Sequence, residues 1–187
     1  MNGFIRIIGG KWRGRKLPVL NNAGIRPTTD RVKETLFNWL MPVIQQANCL
    51  DCFAGSGSLG LEAASRGASQ VVLLEKNHAA ASQIKKNIAL LDTTQCQIHN
   101  TDTLTWLAKP ATKQYDIIFI DPPFNQNLAN QTILLLEQNG WLKPEAYIYI
   151  ETEISCDLNA QRPSDWILHR EKQFGQVHSR LFIKQTN

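Results

Sequence analysis

Two short stretches of the chain hold the residue types that could do chemistry. The first is Asp121-Pro122-Pro123-Phe124. Asp121 and the carbonyl of Pro122 can each accept a hydrogen from an amino group, and two successive prolines hold that backbone in place. A pair of acceptors suits an exocyclic amine on a nucleic-acid base. The lone pair of such an amine is delocalised into the ring, and its attack on an electrophile builds positive charge on nitrogen. Phe124 offers a face on which an unstacked base can lie. Taken alone, the run could also be loop punctuation.

The second stretch is Asp51-Cys52-Phe53-Ala54-Gly55-Ser56-Gly57-Ser58-Leu59-Gly60. A strand that ends in a glycine-rich turn and opens a helix lets backbone come close to a ligand. Glu75, twenty residues after Gly55, ends the next apolar run, where a carboxylate can grip both hydroxyls of a ribose. Asp51 stands four residues ahead of Gly55. A carboxylate there would repel the pyrophosphate that dinucleotide sites place at the helix N-terminus. It suits a ligand with an ammonium and a sulfonium, and D-x-x-x-G-x-G is a pattern of S-adenosylmethionine enzymes. The predicted cofactor is therefore S-adenosyl-L-methionine, held by Asp51, Gly55, Gly57 and Glu75. Asp102 is the natural contact for the adenine edge and is also placed to cap a helix.

These residues need elements to position them. Residues 4–8 and 15–20 alternate around Gly9, Gly10 and Gly14, which predicts a hairpin-like arm. Pro27 and Thr28 then open a helix with Val32, Leu36, Trp39 and Leu40 on one face, ending near Pro42. From residue 48, apolar runs at 49–53, 71–75, 96–99, 115–121 and 147–151 alternate with amphipathic stretches at 58–66, 77–91, 102–108 and 128–139. Gly67 and Gly140 sit where helices should end. The alternation predicts an α/β fold whose parallel sheet is covered on both faces. Residues 166–169 and 180–184 read as two further strands turned at Gly175, which would make the sheet mixed. Asp121 falls at the carboxyl end of the fourth strand, on the crevice side of a doubly wound sheet. The expected organisation is a domain over 46–187 and a basic arm with its leading helix over 1–45, in one compact unit.

At 187 residues the chain suits one domain with a substantial core. A hydrophobic share of 43% with 19% charged residues excludes a disordered chain. No apolar run approaches the roughly 18–20 residues needed to cross a bilayer. The N-terminus lacks the apolar core and cleavage site of a signal peptide, so the expected location is cytoplasmic. Cys49 and Cys52 form a C-x-x-C, but no second pair completes a zinc site. With Cys96 and Cys156 they are expected to be free thiols, the first two buried, and no metal is needed.

The net charge of +4 is uneven. Residues 1–33 hold eight cations against Asp30, a balance of +7, which leaves −3 for the rest. A basic end on a slightly acidic body fits a polyanionic partner touched at one end, although a charge run can also be a solvated surface. Phe4 and Trp12 among the charges favour nucleic acid. The candidate RNA contacts are Arg6, Lys11, Trp12, Arg13, Arg15, Lys16, Arg26 and Arg31.

The run D-P-P-F resembles the [DNS]-P-P-[YFW] motif of amino-group methyltransferases. With residues 6–15, the run 26–38 that begins Arg26-Pro27-Thr28-Thr29-Asp30-Arg31, and the Asp51 to Glu62 loop, the chain resembles the RsmD family. That family methylates N2 of one guanine in the 16S RNA of the bacterial small ribosomal subunit. The resemblance implies a class I (Rossmann-like) S-adenosylmethionine methyltransferase fold: a mainly parallel seven-stranded sheet with an antiparallel C-terminal hairpin. It implies that Gly55, Gly57 and Glu75 hold the cofactor, that Asp102 meets adenine and that Asp121, Pro122, Pro123 and Phe124 receive the base. It also implies small-subunit ribosomal RNA, within an assembling subunit, as the partner. Asn100-Thr101 before Asp102 departs from the family, where glycine is common. Two rivals stay open at this point: a DNA adenine-N6 methyltransferase and a nucleotide-dependent oxidoreductase.

Overall fold

The computed structural model describes residues 3–20, 29–158 and 161–186. Arg26, with Pro27 and Thr28, lies outside the described residues. Strands β1 (Gly3–Arg6) and β2 (Lys16–Val19) pair antiparallel, joined through a short 3-10 turn at Gly10–Trp12. Helix α1 (Asp30–Leu40) is capped by Thr29, whose side chain accepts the Val32 N–H at 3.4 Å. The start predicted at Pro27–Thr28 therefore shifts to a residue whose hydroxyl can satisfy an orphan backbone donor.

A seven-stranded sheet follows, built from β3 (Asn48–Asp51), β4 (Gln70–Glu75), β5 (Cys96–Asn100), β6 (Tyr115–Ile120), β7 (Leu142–Glu153), β8 (Trp166–Phe174) and β9 (Val177–Lys184). Their order is β5-β4-β3-β6-β7-β9-β8, parallel from β5 to β7, with β9 antiparallel to both β7 and β8. The connecting helices are α2 (Ser58–Ser65), α3 (His78–Leu90), α4 (Thr103–Leu107) and α5 (Leu128–Gln138). Strand order reverses between β3 and β6, so a crevice opens at their carboxyl ends.

Two strands outrun their apolar runs. β7 begins at Leu142, five residues early, because its polar start Lys143-Pro144-Glu145 breaks the alternation and the register shifts between Tyr115 and Ile117. β8 continues through Arg170-Glu171-Lys172-Gln173, mostly exposed, as an edge strand with one unpaired side allows.

Each face of the sheet has its own core. Cys49, Ile117, Phe119, Tyr149 and Leu181 face the arm and helices α1 to α3, whereas Leu50, Cys52, Ile118, Ile148 and Phe182 face the other side with α4 and α5. Cys49 and Cys52 thus point to opposite faces and do not converge. Burial pushes both thiols up.

The arm is docked, not dangling. Ile5, Ile7, Leu17 and Val19 join the core under α1 to α3. Its backbone is gripped by α2: Glu62 Oε2 accepts the Ile8 N–H at 2.9 Å, and Ser65 Oγ donates to the Gly9 carbonyl at 2.6 Å and accepts the Trp12 N–H at 3.0 Å. Gly10, at φ +74°, lies so close to α2 that a Cβ there would stand 1.9 Å from the Ser65 carbonyl oxygen. Gly14 also has positive φ, but no atom lies within 4 Å of its would-be Cβ.

The two glycines make a test. Gly14→Ala should cost about 1–2 kcal/mol, the conformational penalty alone. Gly10→Ala adds an overpacking clash of roughly 1–3 kcal/mol. Urea unfolding should therefore rank Gly10→Ala well below Gly14→Ala; equal losses would mean that the arm does not press on α2.

Candidate active site

The crevice begins at Asp51, the last residue of β3, which is buried to 1% exposure. Its Oδ2 accepts the Gly60 N–H at 3.0 Å, while Oδ1 is buried without a partner among the described residues. A Cβ on Gly60 would stand 2.7 Å from Leu73 Cδ2 and 3.2 Å from Asp51 Oδ2, so this approach of helix to strand needs glycine. Gly55 (φ +56°) and Gly57 (φ +80°) turn the chain into α2 in the left-handed region that favours glycine. The Ser58 hydroxyl, in the first turn of α2, is a second buried atom without a partner among the described residues.

Burial pushes the Asp51 carboxyl up to about 7; the Gly60 and Phe53 N–H groups lower it and the charge of Glu75 raises it further. Glu75 ends β4 and holds the loop by its oxygens: Oε2 accepts the Gly55 N–H at 2.8 Å and Oε1 the Asn77 N–H at 2.7 Å. A carboxylate has about four acceptor positions, so both oxygens keep capacity for a ligand. Asp102 caps α4, its Oδ1 accepting the Thr105 N–H at 3.0 Å, and its Oδ2 lies 3.1 Å from Lys76 Nζ. The Thr105 N–H, then Lys76, hold its carboxyl below the usual range.

Asp121 to Phe124 follow β6 on the other side of the switch point. The loop is pinned where Asn125, at φ +61°, donates its N–H to Glu153 Oε1 at 3.1 Å. Asp51, Gly55, Glu75 and Asp102 on one side and Asp121 to Phe124 on the other wall a single cavity of about 690 Å³. Gly57 does not line it but turns the chain beside it; its would-be Cβ meets Leu61 and Ile84. A cavity of this size suits a nucleoside-sized ligand with a base beside it.

The remaining wall came without a motif. Thr29, the cap of α1, Val32 within it, and Phe174 and Val177 of the β8–β9 hairpin close the cavity, and Arg31 Cζ sits 5.9 Å over the Phe174 ring. Glu151, buried to 7% exposure, is also in the wall. Its Oε2 accepts the Tyr149 hydroxyl at 2.8 Å, and that hydroxyl lies 3.0 Å from Ser179 Oγ. The available signal was an acid ending the apolar run 147–151, as Glu75 ends the run 71–75.

Two of the arm's cations, Arg6 and Lys16, stand near this mouth, whereas Lys11 and Arg15 are bonded to Gln95 and Leu90 at the amino-terminal end of the strands. Arg6 and Lys16 line a smaller depression with Phe4 and Lys33, and it shares Thr29 and Ser58 with the main cavity. Arg13, Arg15 and Arg31 are exposed; one Arg15 nitrogen donates to the Leu90 carbonyl at 3.2 Å. Lys11 bonds Gln95 and lies 4.2 Å over the Trp12 ring, itself half-buried against the core. Phe4 is 56% exposed, with Lys16 Nζ 4.6 Å over its ring.

A doubly wound sheet in this order, a glycine loop after β3, an acid ending β4 and an Asp-Pro-Pro-Phe turn after β6 define the class: the class I methyltransferase fold. The family described as Conserved hypothetical protein 95 matches residues 5–183, and the chain belongs to it, the RsmD family. It is 53% identical over 185 residues to Ribosomal RNA small subunit methyltransferase D of Escherichia coli strain K12, covering 99% of this chain and 92% of that one. The enzyme of that name from Haemophilus influenzae is 54% identical over 183 residues, covering 96% and 94%. The solved structure of the Escherichia coli protein yhhF, 52% identical, superposes with a TM-score of 0.90 over 99% of this chain and 100% of that one.

The raised pKa of Asp51 sets a direction for stability. Its folded value, about 7, exceeds the ordinary 3.8, so the folded state is penalised progressively as pH rises from about 4 to 7. Asp51→Asn removes that penalty. In the ligand-free protein, the variant's urea midpoint should rise relative to wild type across this window and level off above pH 7. A difference that does not change with pH would mean that Asp51 is ionised throughout.

Proposed function

We propose that this protein transfers a methyl group from S-adenosyl-L-methionine to N2 of a guanine in 16S ribosomal RNA, within an assembling small subunit in the cytoplasm. One observation carries the reading: the Asp51–Gly60 loop, Glu75 and the Asp121–Phe124 turn wall a single cavity at the switch point of the sheet. The close relatives named for small-subunit ribosomal RNA supply the substrate class. They favour neither a DNA adenine enzyme nor an oxidoreductase, and the latter would leave Asp121 to Phe124 without work.

The cavity fits the cofactor on its own terms. Among the described residues Asp51 Oδ1 and Ser58 Oγ are buried polar atoms without a partner, and a carboxylate is the group that an ammonium would meet. Glu75, at the end of β4, can take the ribose hydroxyls, and Asp102 the adenine edge once Lys76, whose side chain is 79% exposed, yields its place. When bound, the cofactor supplies an electrophilic methyl group on a sulfonium.

The protein's task is to present the amine. Asp121 and the Pro122 carbonyl accept its hydrogens and turn its lone pair into line, and the Asp121 carboxylate offsets the positive charge that develops on nitrogen. Phe124 supports the ring. Alignment of this kind is worth up to about 7–11 kcal/mol of barrier. The arm's cations hold the phosphates, Arg6 and Lys16 beside the mouth and Arg13 and Arg15 farther along the arm.

Two variants separate binding from catalysis. Glu75→Ala should weaken cofactor binding by about 1.5–3 kcal/mol in calorimetry. Asp121→Ala should leave that affinity nearly intact and slow tritiated methyl transfer to small subunits from a strain lacking the protein by about 10²–10⁴-fold. Near wild-type turnover in Asp121→Ala is fatal to the mechanism.

The arm has its own measurement. Replacing Arg13, Arg15 and Lys16 together by alanine should flatten the plot of log affinity for RNA against log salt by roughly 2–3 units, since each phosphate contact adds about 0.7–0.9. An unchanged slope returns these residues to a solvated surface.

A further inference from the structure

The β8–β9 hairpin outruns the middle of the sheet at its carboxyl end. β6 last pairs at Ile120, opposite Ile150 of β7. Beyond that level β7 pairs with β9 as far as Glu153 opposite Val177, and β9 pairs with β8 as far as Phe174 opposite the same Val177. The tip therefore stands three residues past the last pair of β6, about 10 Å at the usual rise of a strand. β8 also lies three strands across the sheet from β6, about 14 Å at the usual spacing. From there Phe174 reaches the cavity wall.

Register also fixes what accompanies Phe174. Leu181 points into the core under α1 to α3, and Ser179 and Val177 share its face at two-residue steps. Their partners on β8 are Arg170, Lys172 and Phe174, and side chains directly opposite in a ladder share a face. Two cations and a ring thus form a row on the side where α1 lies. Arg170 and Lys172 are exposed and Phe174 is half-buried. Lys172 Nζ stands 5.2 Å over the Phe174 ring, and Arg31 Cζ stands 5.9 Å over it from α1. Glu171, the one acid of β8, belongs to the other face, opposite Arg180 and 2.9 Å from His178 Nε2.

Resting on the reading above, we propose that this row is a second RNA contact, separate from the arm: Phe174 stacks the base next to the methylated one, and Lys172 and Arg170 hold the phosphates that lead away from the mouth. Cations along a strand that ends in a flat ring fit a single-stranded segment. The charges meet its phosphates, and the ring takes any base, because every base has a π-face. Distance assigns the nucleotide. A base received by the turn after β6 is seated three strands from β8, so the ring serves its neighbour. An acidic peptide would suit the cations alone and would leave the ring in the cavity wall without a role.

The test measures binding to small-subunit particles from a strain lacking the protein, over a salt series and beside cofactor calorimetry. Arg170→Ala combined with Lys172→Ala should flatten the plot of log affinity against log salt by roughly 1–2 units, for two phosphates at about 0.7–0.9 each. Phe174→Ala should weaken binding by about 5- to 150-fold, the usual worth of one base stack, and leave the slope unchanged. Phe174→Trp should bind at least as well as wild type, and Phe174→Ile about as poorly as Phe174→Ala. Apolar packing of the tip alone would instead put Phe174→Ile beside wild type and Phe174→Trp below it. Cofactor affinity should stay the same in every variant. The exposed Arg170 and Lys172 pair serves if Phe174→Ala does not fold. An unchanged slope in the double variant, or wild-type binding across the Phe174 series, overturns the contact. A flattened slope beside an unmoved Phe174 series overturns it too, in favour of an acidic protein of the particle resting on the cations. Methyl transfer is read separately on the same particles: no guanine methylated by wild type overturns the proposed function, whereas binding judges the hairpin.

Discussion

Helix α2 is buried along all eight of its residues, and a charge carried by a helix without a solvated face must find a protein partner. Its N-terminus comes under Asp51, which takes the Gly60 N–H. Near its C-terminus lies Glu62, fully buried, a charge that is stable there only when paired and hydrogen-bonded. Glu62 takes the Ile8 N–H, meets Arg66 Nε at 2.8 Å and lies 3.9 Å from the buried Lys33 ammonium, which donates to the Arg6 carbonyl. One short helix thus joins the glycine loop at one end to the arm and α1 at the other. The arm's path over Gly9 and Gly10 follows from what α2 needs, and the loop that would hold a cofactor is braced by the same helix as the surface that would meet RNA.

Much of this could be read from residue types. Each parallel strand announced itself as an apolar run, because burial on both faces leaves no reason for polar residues. Asp51, Glu75 and Asp121 stood out as acids at the ends of such runs, where a strand leaves the core. The docking of the arm was not legible. Its glycines suggested turns, but the clash that makes Gly10 necessary involves Ser65, fifty-five positions away. Lys33 carried no sign that it was buried rather than another phosphate contact, since its partner Glu62 sits in an apolar helix. Trp12 stands in the sequence among cations, as a stacking ring would, and in the fold it is half-buried against the core with Lys11 over it. Glu151 escaped for a different reason: its neighbours Tyr149 and Ser179 are set by β-sheet register, and register between distant strands is not written in either strand alone.

Charge separates the two halves of the proposed substrate. Among the described residues, five carboxylates, from Asp51, Glu75, Asp102, Asp121 and Glu151, line the main cavity against one lysine, Lys76. The neighbouring depression is bordered by Arg6, Lys16 and Lys33 against Asp30. A phosphate entering the cavity would face several like charges in a partly desolvated space, where repulsion is stronger than in water. The same phosphate at the depression finds cations and the exposed ring of Phe4 with Lys16 over it. What can pass the mouth is a group that is neutral and rich in donors, such as a base edge, or one that is positive, such as an ammonium or sulfonium. The sugar-phosphate chain has to stay outside, so only a nucleotide flipped from its stack can bring its edge to Asp121. The field would then select the pose before any hydrogen bond is made, and the turn at Asp121 would meet a base already presented edge first.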